Sequence, residues 1–276
     1  MANIPPTIPQ INKILLFGST GMLGRYIYSY FEKKIPIINI SFRITNANLD
    51  ELERVLIEHN INSETCVINA IGAIPQRKPL ETDFFLVNSI FPQLLWQICK
   101  EYGAKMIQPT TDCVFSGKRG EYVEDDIHDE TGAYGISKSL GEPASCTVIR
   151  TSIIGRELSN KKSFLEWVIS NDNTTIYGFE NHIWNGITCL QYCKIIEQII
   201  KQNLFWQGVR HIYSPTSKSK YELAVMISNI FQRNIEIIPT QSTETVNKTL
   251  LSNYTPMFEI PELSVQLQEL EKYSLA

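Results

Sequence analysis

The chain has 276 residues, of which 43% are hydrophobic and 20% are charged, with 25 Lys and Arg against 29 Asp and Glu. This composition is typical of a globular protein with a substantial buried core, and it excludes a small domain stapled by disulfides or a metal. The formal net charge of -4 gives no electrostatic reason to expect a nucleic acid as the partner.

Short apolar runs alternate with amphipathic stretches along the first half of the chain. Near-continuous apolar strands separated by helices predict an α/β fold, with a Rossmann-type doubly wound parallel sheet covered on both faces. Beyond about residue 155 the pattern becomes irregular and predicts a smaller C-terminal substrate lobe. Strands are predicted at 13–18, 35–41, 65–70, 105–108 and 146–151, and helices at 25–33, 49–59, 88–102, 134–142, 190–202 and 220–232.

Three segments follow from this pattern. Residues 1–10 are rich in proline and are expected to be a flexible leader, and residues 11–155 are expected to form the Rossmann-type domain. Residues 156–276 mainly form the lobe that closes over the strand ends, with some segments returning to the central sheet.

The cysteines and the apolar runs limit the class of protein further. The six cysteines include no C-x-x-C pair, so we expect mostly buried, reduced thiols and no metal site. The N-terminal residues lack a basic stretch followed by an apolar core, and no apolar run approaches the about 18 residues of a membrane span. The expectation is therefore a cytoplasmic protein with no membrane partner.

A glycine-rich turn follows the first predicted strand and opens the first helix. Glycines in this context permit a tight turn and a close approach of a pyrophosphate to the helix N-terminus. The strand before the turn and the helix after it meet the condition that makes this motif informative, so it predicts dinucleotide binding. The residues of the turn are Gly18, Ser19, Thr20, Gly21, Met22, Leu23 and Gly24.

The end of the second predicted strand distinguishes the two nicotinamide cofactors. An acidic residue there would bind the ribose 2′-hydroxyl, whereas a basic residue would bind a 2′-phosphate. The chain has Ser41 and Arg43 at this place and no carboxylate, which favours NADPH. The alternative is that Arg43 is a solvated surface charge.

Tyr134 and Lys138 are four residues apart on a predicted helix and therefore share one face. A lysine so placed lowers the pKa of the phenol by its charge, and the phenol then donates a proton to a carbonyl that receives hydride. Thr111 lies 23 residues upstream of Tyr134, at the carboxyl end of a strand, where ligands bind in such sheets. The alternative for the Tyr and Lys pair is a surface contact without function.

Taken together, the motifs GSTGMLG, VINAIGA, VNSIFP, PTTDCVFSG, YGISKSLGE and VIRTSIIG resemble the extended short-chain dehydrogenase/reductases, and most closely the dTDP-4-dehydrorhamnose reductase type. The resemblance implies a nucleotide-sugar 4-ketone as substrate and a catalytic triad of Thr111, Tyr134 and Lys138. It implies that Asn69, Ala70 and Gly72 line the cofactor after the fourth strand and that Asn88 lies near the catalytic lysine. Family members are often dimers, so a homodimer is compatible with the resemblance.

Cys113 departs from the pattern of the rhamnose reductases, which usually carry tyrosine at that place. A cysteine there is similar to GDP-fucose synthase and to enzymes that epimerise and then reduce UDP-4-keto-6-deoxyglucose, in which it acts as a base. A C4 ketone acidifies the hydrogens on C3 and C5, so a thiolate can remove one and a cation can return it. Lys161 and Lys162 are the candidates for that cation, with His182 as the fallback. The alternative is that Cys113 only lines the pocket of a plain reductase.

The resemblance also implies which residues bind the substrate. They are Thr110, Thr111, Asp112, Val114, Phe115, His182, Trp184 and Asn185. In contrast, Trp167 and Trp206 are expected to pack in the core, and His128 is expected to be solvated.

The leading hypothesis is an NADPH-dependent 4-ketoreductase that acts on a UDP- or dTDP-linked 4-keto-6-deoxyhexose in rhamnose-type sugar biosynthesis, with a 3- or 3,5-epimerisation step in the same pocket. The alternatives are a plain reductase without epimerase activity and a non-catalytic, NADP-binding regulatory subunit.

Overall fold

The structure of the chain is a computed structural model that describes residues 10–45, 51–158 and 161–275. The expectation of a flexible leader concerns residues 1–10, and residues 1–9 lie outside the described ranges. The strands are β1 (Lys13–Phe17), β2 (Ile37–Ile40), β3 (Thr65–Asn69), β4 (Lys105–Thr110), β5 (Thr147–Arg150), β6 (Ile153–Ile154), β7 (Thr175–Phe179), β8 (His182–Trp184), β9 (Ile187–Thr188), β10 (Gly208–His211), β11 (Lys218–Ser219), β12 (Glu236–Thr240) and β13 (Val246–Asn247). The helices are α1 (Met22–Phe31), α2 (Glu51–Glu58), α3 (Glu81–Phe85), α4 (Phe91–Glu101), α5 (Ala133–Leu140), α6 (Phe164–Ser170), α7 (Cys189–Gln202), α8 (Lys220–Ile230) and α9 (Leu263–Lys272).

The central sheet has the strand order β10-β5-β4-β3-β1-β2, and all of its pairings are parallel. The chain moves outward from β1 to β2 and then returns to the other side of β1 with β3. The strand order therefore reverses between β1 and β3, and the loops that follow these two strands diverge and leave a crevice for a ligand. The Rossmann-type doubly wound sheet predicted from the sequence is confirmed.

The apolar strands bury both of their faces, as their continuous hydrophobic character predicts. In β1, Ile14 and Leu16 pack into one core with α1 and α7, whereas Leu15 and Phe17 pack into a second core with α2 and α4. All four of these side chains are fully buried. Successive side chains of a strand point to opposite faces of the sheet, so β1 packs against one helical layer on each side.

The C-terminal half contributes both to a smaller lobe and to the central sheet. In the lobe, β7 pairs with β12, and β8 lies between β11 and β13. The helices α6 and α8 pack against each other beside these strands. In contrast, β10 forms the edge of the central sheet and α7 packs against α1.

Some predicted elements differ in their bounds or were missed. The helix predicted at 88–102 begins as α4 only at Phe91, after a π-helical turn at Leu86–Ile90. Pro92 has no amide hydrogen to donate to the carbonyl of Asn88, four residues earlier, so regular helical bonding is interrupted there. The sequence patterns did not predict α3 or α9, whereas the helix expected to begin at Lys161 and Lys162 corresponds to α6. Within the described ranges, no helix has the length and apolar character needed to cross a membrane.

Candidate active site

The glycine-rich turn lies at the crevice between β1 and β3. Gly24 allows α1 to pack against this turn, because a Cβ at this residue would lie 2.0 Å from the Gly18 carbonyl oxygen. Gly21 is the N-cap of α1 and makes no side-chain capping bond, so the first turn of the helix keeps its backbone N–H groups for an anion. A Cβ at Gly21 would meet nothing closer than 3.4 Å, and one at Gly72, across the crevice, would meet nothing closer than 3.7 Å. The turn therefore has the open space and the donors that a pyrophosphate requires.

The loop after β3 forms the opposite wall of this crevice. It was predicted to follow the fourth strand, but it follows the third strand of the described chain. The Asn69 amide donates to the Gln108 side chain at 2.9 Å, and its oxygen accepts from the Ile71 N–H at 3.2 Å. Asn88 binds both the N–H and the carbonyl of Ala73, and it also donates to the Ser137 hydroxyl at 3.1 Å. Asn88 therefore joins the crevice wall to α5, while Ala70 and Gly72 remain half-buried at its surface.

Ser41 and Arg43 lie directly after β2 and both are exposed. β2 is the neighbour of β1, so these side chains follow the strand end that adjoins the glycine turn. The place agrees with the predicted contact to a 2′-phosphate, and that contact stays a prediction.

The Thr111 hydroxyl and Tyr134 come together across the end of β4. Thr111 caps a short 3₁₀ helix at Asp112–Val114, where its hydroxyl accepts from the Cys113 N–H and donates to the Asp112 carboxylate, both at 3.1 Å. The Tyr134 side chain, on α5, lies close enough to Thr111 for the hydroxyl to act on the pKa of the phenol. Gly135 permits this approach, because a Cβ there would lie 2.5 Å from the Cys113 carbonyl oxygen.

Burial controls the ionisation of both α5 residues. It raises the pKa of Tyr134 above its ordinary value, with Cys113 and Asp112 acting in the same direction. It lowers the pKa of Lys138 to about 8, while the Glu142 carboxylate opposes this shift. The Lys138 ammonium donates to the Pro109 carbonyl at 3.2 Å. Burial thus raises the pKa of the phenol, in contrast to the lowering by lysine that the sequence predicted, and Tyr134 stays protonated near neutral pH.

Cys113 is half-buried beside these groups, and its surroundings oppose a thiolate. Burial and the neighbouring Asp112 carboxylate raise the pKa of its thiol to about 12, although Lys248 acts in the opposite direction. The predicted cations Lys161 and Lys162 are both exposed, and the Lys162 ammonium donates to the Gln76 carbonyl at 3.2 Å. Neither is among the charges that influence the Cys113 thiol.

The predicted substrate residues that follow β4 are buried, with the exception of Thr111. Asp112 is 4% exposed and Thr110 is 7% exposed, and the Thr110 hydroxyl is buried with no hydrogen-bond partner in the described part of the chain. The structure shows a packing role for the side chains of Val114 and Phe115, which are fully buried in a cluster with Tyr122.

In the lobe, Asn185 and Trp184 are also occupied by internal contacts. The Asn185 amide bonds with both backbone groups of Leu250, at 2.8 and 2.9 Å, so the side chain has little capacity left for a ligand. Trp184 is 5% exposed and presents its ring face to the Lys220 ammonium, 5.2 Å from the ring centroid.

An open cleft of about 600 Å³ lies in the lobe, beside α6 and β7. His182 lines it, with its ring stacked on Phe179 and its Nε2 bonded to the Ser242 hydroxyl at 2.8 Å. Trp167 also lines it and is 39% exposed, so the prediction that this tryptophan packs in the core is wrong. Its place on α6 turns the ring outward over the cleft. Trp206, in contrast, is buried as predicted.

Lys220 and Lys248 were missed by the sequence analysis. Lys220 lines the cleft, and its charge acts on Asp112 and Cys113. Lys248 acts on the same two groups and forms an ion pair with Glu130 at 3.4 Å. No local motif marks either lysine, because both approach the site from segments more than 100 residues away along the chain.

A buried network of charged side chains around Arg150 reaches α5 through a contact between His128 and Ser139. Arg150 is 1% exposed, and its guanidinium binds the Glu142 carboxylate at 2.6 and 3.0 Å. It also donates to His211 Nε2 and to His128 Nε2, each at 2.8 Å. His128 Nδ1 lies 2.5 Å from the Ser139 hydroxyl on α5, so the prediction that His128 is solvated is wrong. The acidic sequence around His128 suggested a solvated loop, whereas its contacts with Arg150 and Ser139 form only in the folded chain.

Comparison with known proteins agrees with this fold. Residues 12–259 match the family described as RmlD substrate binding domain. Methionine adenosyltransferase 2 subunit beta from Rattus norvegicus is 23% identical over 248 residues, which cover 79% of this chain and 72% of that protein. The spore coat polysaccharide biosynthesis protein SpsK from Bacillus subtilis (strain 168) is 26% identical over 251 residues, which cover 87% of this chain and 86% of that protein.

Among solved structures, this chain is similar to a dTDP-4-dehydrorhamnose reductase from Bacillus anthracis str. Ames in complex with NADP. The TM-score is 0.78 at 18% sequence identity, and the match covers 94% of this chain and 98% of the other. At this identity the likeness establishes a shared fold.

Proposed function

Because the chain belongs to the RmlD substrate binding domain family, we propose that it is an NADPH-dependent reductase of the C4 ketone in a nucleotide-linked 4-keto-6-deoxyhexose. The observation that carries this proposal is the meeting of Thr111, Tyr134 and Lys138 beside the crevice that follows β1 and β3. The similar proteins named as a dTDP-4-dehydrorhamnose reductase and as a polysaccharide biosynthesis protein support the same substrate class.

The residues at the crevice fit a dinucleotide. The open sides of Gly21 and Gly72 leave space for the pyrophosphate, and the first turn of α1 offers N–H donors. Ser41 and Arg43 would bind the 2′-phosphate, and Lys138 would bind the nicotinamide ribose. When bound, NADPH supplies the hydride that adds to C4 of the sugar.

Tyr134 is the proton donor in this mechanism. Its raised pKa keeps the phenol protonated, so it can give its proton to the C4 oxygen as negative charge develops there. The Lys138 ammonium, one helical turn away, stabilises the phenolate that remains. The Thr111 hydroxyl, which is held by Asp112, lies near the phenol and would share the binding of the C4 oxygen with it.

The test is NADPH oxidation, followed by absorbance, with dTDP- and UDP-4-keto-6-deoxyglucose and their 3,5-epimerised ketones as substrates. Turnover that requires one of these sugars supports the proposal. An absence of turnover with all of them, from a protein that binds NADPH normally, contradicts it. That result would instead favour a non-catalytic regulatory subunit, the alternative suggested by the similarity to methionine adenosyltransferase 2 subunit beta.

A preceding epimerisation is a second candidate activity, because Cys113 lies beside Tyr134 and within the electrostatic influence of Lys220 and Lys248. Burial and Asp112 raise the pKa of the thiol to about 12, so its conversion to a thiolate depends on a change of the neighbouring charges when the substrate binds. If the thiolate acts as base, reduction in deuterated water places deuterium at C3 of the product. The variant Cys113→Ser should then lose this deuterium yet still reduce an epimerised ketone. Product without deuterium from the unmodified protein would leave a plain reductase.

A further inference from the structure

Lys220 is half-buried in the lining of the cleft, and its ammonium has no hydrogen-bond acceptor among the described residues. It is the first residue of α8, and its neighbour Ser219 caps that helix through a bond to the Glu222 N–H at 3.0 Å. The ammonium lies 4.7 Å from the ring centroid of Phe164 and 5.2 Å from that of Trp184. Ring faces stabilise a cation only in part, since they replace none of the hydrogen bonds that water would make.

The other lysines near the active site have oxygen partners. The Lys138 ammonium donates to a backbone carbonyl and the Lys248 ammonium pairs with Glu130. Lys220 is influenced by the Asp112 carboxylate through space, but no hydrogen bond joins them in the described structure. Its ammonium is therefore the cation at this site that has three donors to offer to a ligand.

Lys220 also lies where two regions meet. On one side is the cleft lined by the rings of Trp167, Tyr177 and Phe179, which are 39%, 63% and 38% exposed. On the other side are Asp112 and Cys113, which adjoin the proposed proton donor. The ammonium is thus part of the cleft lining and is within electrostatic reach of the residues beside the proposed proton donor.

We propose that Lys220 binds the diphosphate of a nucleoside diphosphate ligand whose base lies against the aromatic rings of the cleft. Ring faces line the cleft, the cation lies in the same lining, and its charge acts on the residues next to the catalytic hydroxyls. These three features correspond to the base, diphosphate and hexose of a nucleotide-linked sugar. An ammonium that lacks acceptors gains charge-assisted hydrogen bonds from phosphate oxygens, and the exposed rings gain a stacking partner. The proposal rests on the nucleotide-sugar substrate class proposed above and adds the residues that recognise its nucleotide half.

The test is calorimetric titration of the full chain, saturated with NADPH, with UDP, dTDP and inorganic pyrophosphate as probes. Saturation with the dinucleotide prevents the probes from binding at the glycine turn. Lys220→Met should weaken UDP and dTDP binding by about 10- to 100-fold, because charged hydrogen bonds are lost. Lys220→Arg should retain most of the affinity, since the charge and donors remain. The matched control is Lys218→Met, because Lys218 faces Glu222 at 4.0 Å and is outside the cleft lining.

A second pair of measurements separates the base from the phosphates. Trp167→Ala should weaken UDP and dTDP binding but leave pyrophosphate binding unchanged. The unmodified protein should bind UDP at least about tenfold more tightly than uridine, a result that needs no variant. Equal affinities for UDP and uridine, or a Lys220→Met variant that binds UDP like the unmodified protein, would overturn the proposal.

These binding measurements are independent of turnover. If UDP binding requires Lys220 but no 4-keto sugar is reduced, the reductase proposal fails while the assignment of Lys220 stands. If the sugar is reduced and Lys220→Met leaves its KM unchanged, the assignment fails while the reductase proposal stands. An unmodified protein that binds none of the nucleoside diphosphates also overturns the assignment.

Discussion

Acidification is expected to destabilise the protein through His211, which is 4% exposed at the end of β10. Its Nε2 accepts from the Arg150 guanidinium at 2.8 Å, so this nitrogen carries no proton. Its Nδ1 donates to the Leu251 carbonyl at 2.7 Å, and its backbone N–H donates to the Glu124 carboxylate at 2.8 Å. Protonation of Nε2 would remove the acceptor from Arg150 and place two positive charges in contact.

The magnitude follows from the pKa of the imidazole. Burial and the Arg150 charge lower the pKa of His211 from 6.5 to about 4, although Glu124 and Glu142 oppose the shift. Between pH 6.5 and pH 4 the unfolded chain binds a proton that the folded chain does not bind. The free energy of unfolding therefore falls with falling pH in this window, by about 1.4 kcal/mol per pKa unit and about 3 kcal/mol in all.

The measurement is urea unfolding at several pH values from 7 to 4.5, with the unmodified protein and His211→Gln. The variant should be less stable at pH 7, because Arg150 loses an acceptor, but its stability should fall less steeply on acidification. His59→Gln is the matched control and should keep the steep dependence, because the His59 side chain has no part in the Arg150 network. If His211→Gln and the unmodified protein lose stability in parallel between pH 6.5 and pH 4.5, the reasoning is refuted.

Three further predictions concern the proposed active site. Tyr134→Phe should reduce the rate of NADPH oxidation by at least about 100-fold with little change in NADPH affinity, because the phenol acts on charge that develops in the transition state; near-normal turnover would show a different proton source. Arg43→Ala should weaken NADPH binding by about 1 to 3 kcal/mol and leave NADH binding unchanged. The surface variant Arg54→Ala is the control and should alter the binding of neither cofactor. Equal affinity of the unmodified protein for NADPH and NADH would contradict the predicted role of Arg43. Because burial lowers the pKa of Lys138 to about 8, kcat/KM should fall as the pH rises above 8 and the ammonium is lost, and a profile that stays flat to pH 9.5 would count against its role.

The sequence alone was sufficient for the features that depend on near neighbours. The glycine turn follows β1 and opens α1 because strand, turn and helix are consecutive, and their periods are visible in the residues themselves. Tyr134 and Lys138 share a helix face because they are four residues apart, which requires no knowledge of the rest of the chain. Alternation of apolar strands and helices likewise determined that the sheet is parallel and buried on both faces.

Bounds that depend on side-chain packing were less accurate. The helix expected from residue 88 gave way to a π-helical turn, in part because Pro92 removes an amide donor. Tryptophan is usually buried, so its residue type predicted that Trp167 packs in the core. However, α6 presents Trp167 to the cleft, because the packing of a helix decides which of its faces is exposed.

Only the tertiary structure decided the electrostatics of the site. The ionisation of Cys113 and Tyr134 depends on desolvation, which arises when separate segments close around a side chain. The sequence pointed to Lys161 and Lys162 as the cations near Cys113, but Lys220 and Lys248 are the lysines whose charges act on it. Both lie more than 100 residues beyond that cysteine, and they come near it only because the lobe packs onto the strand ends. Sequence spacing specifies which residues share a helix or a strand, whereas the distance between charges on different elements exists only after those elements have packed.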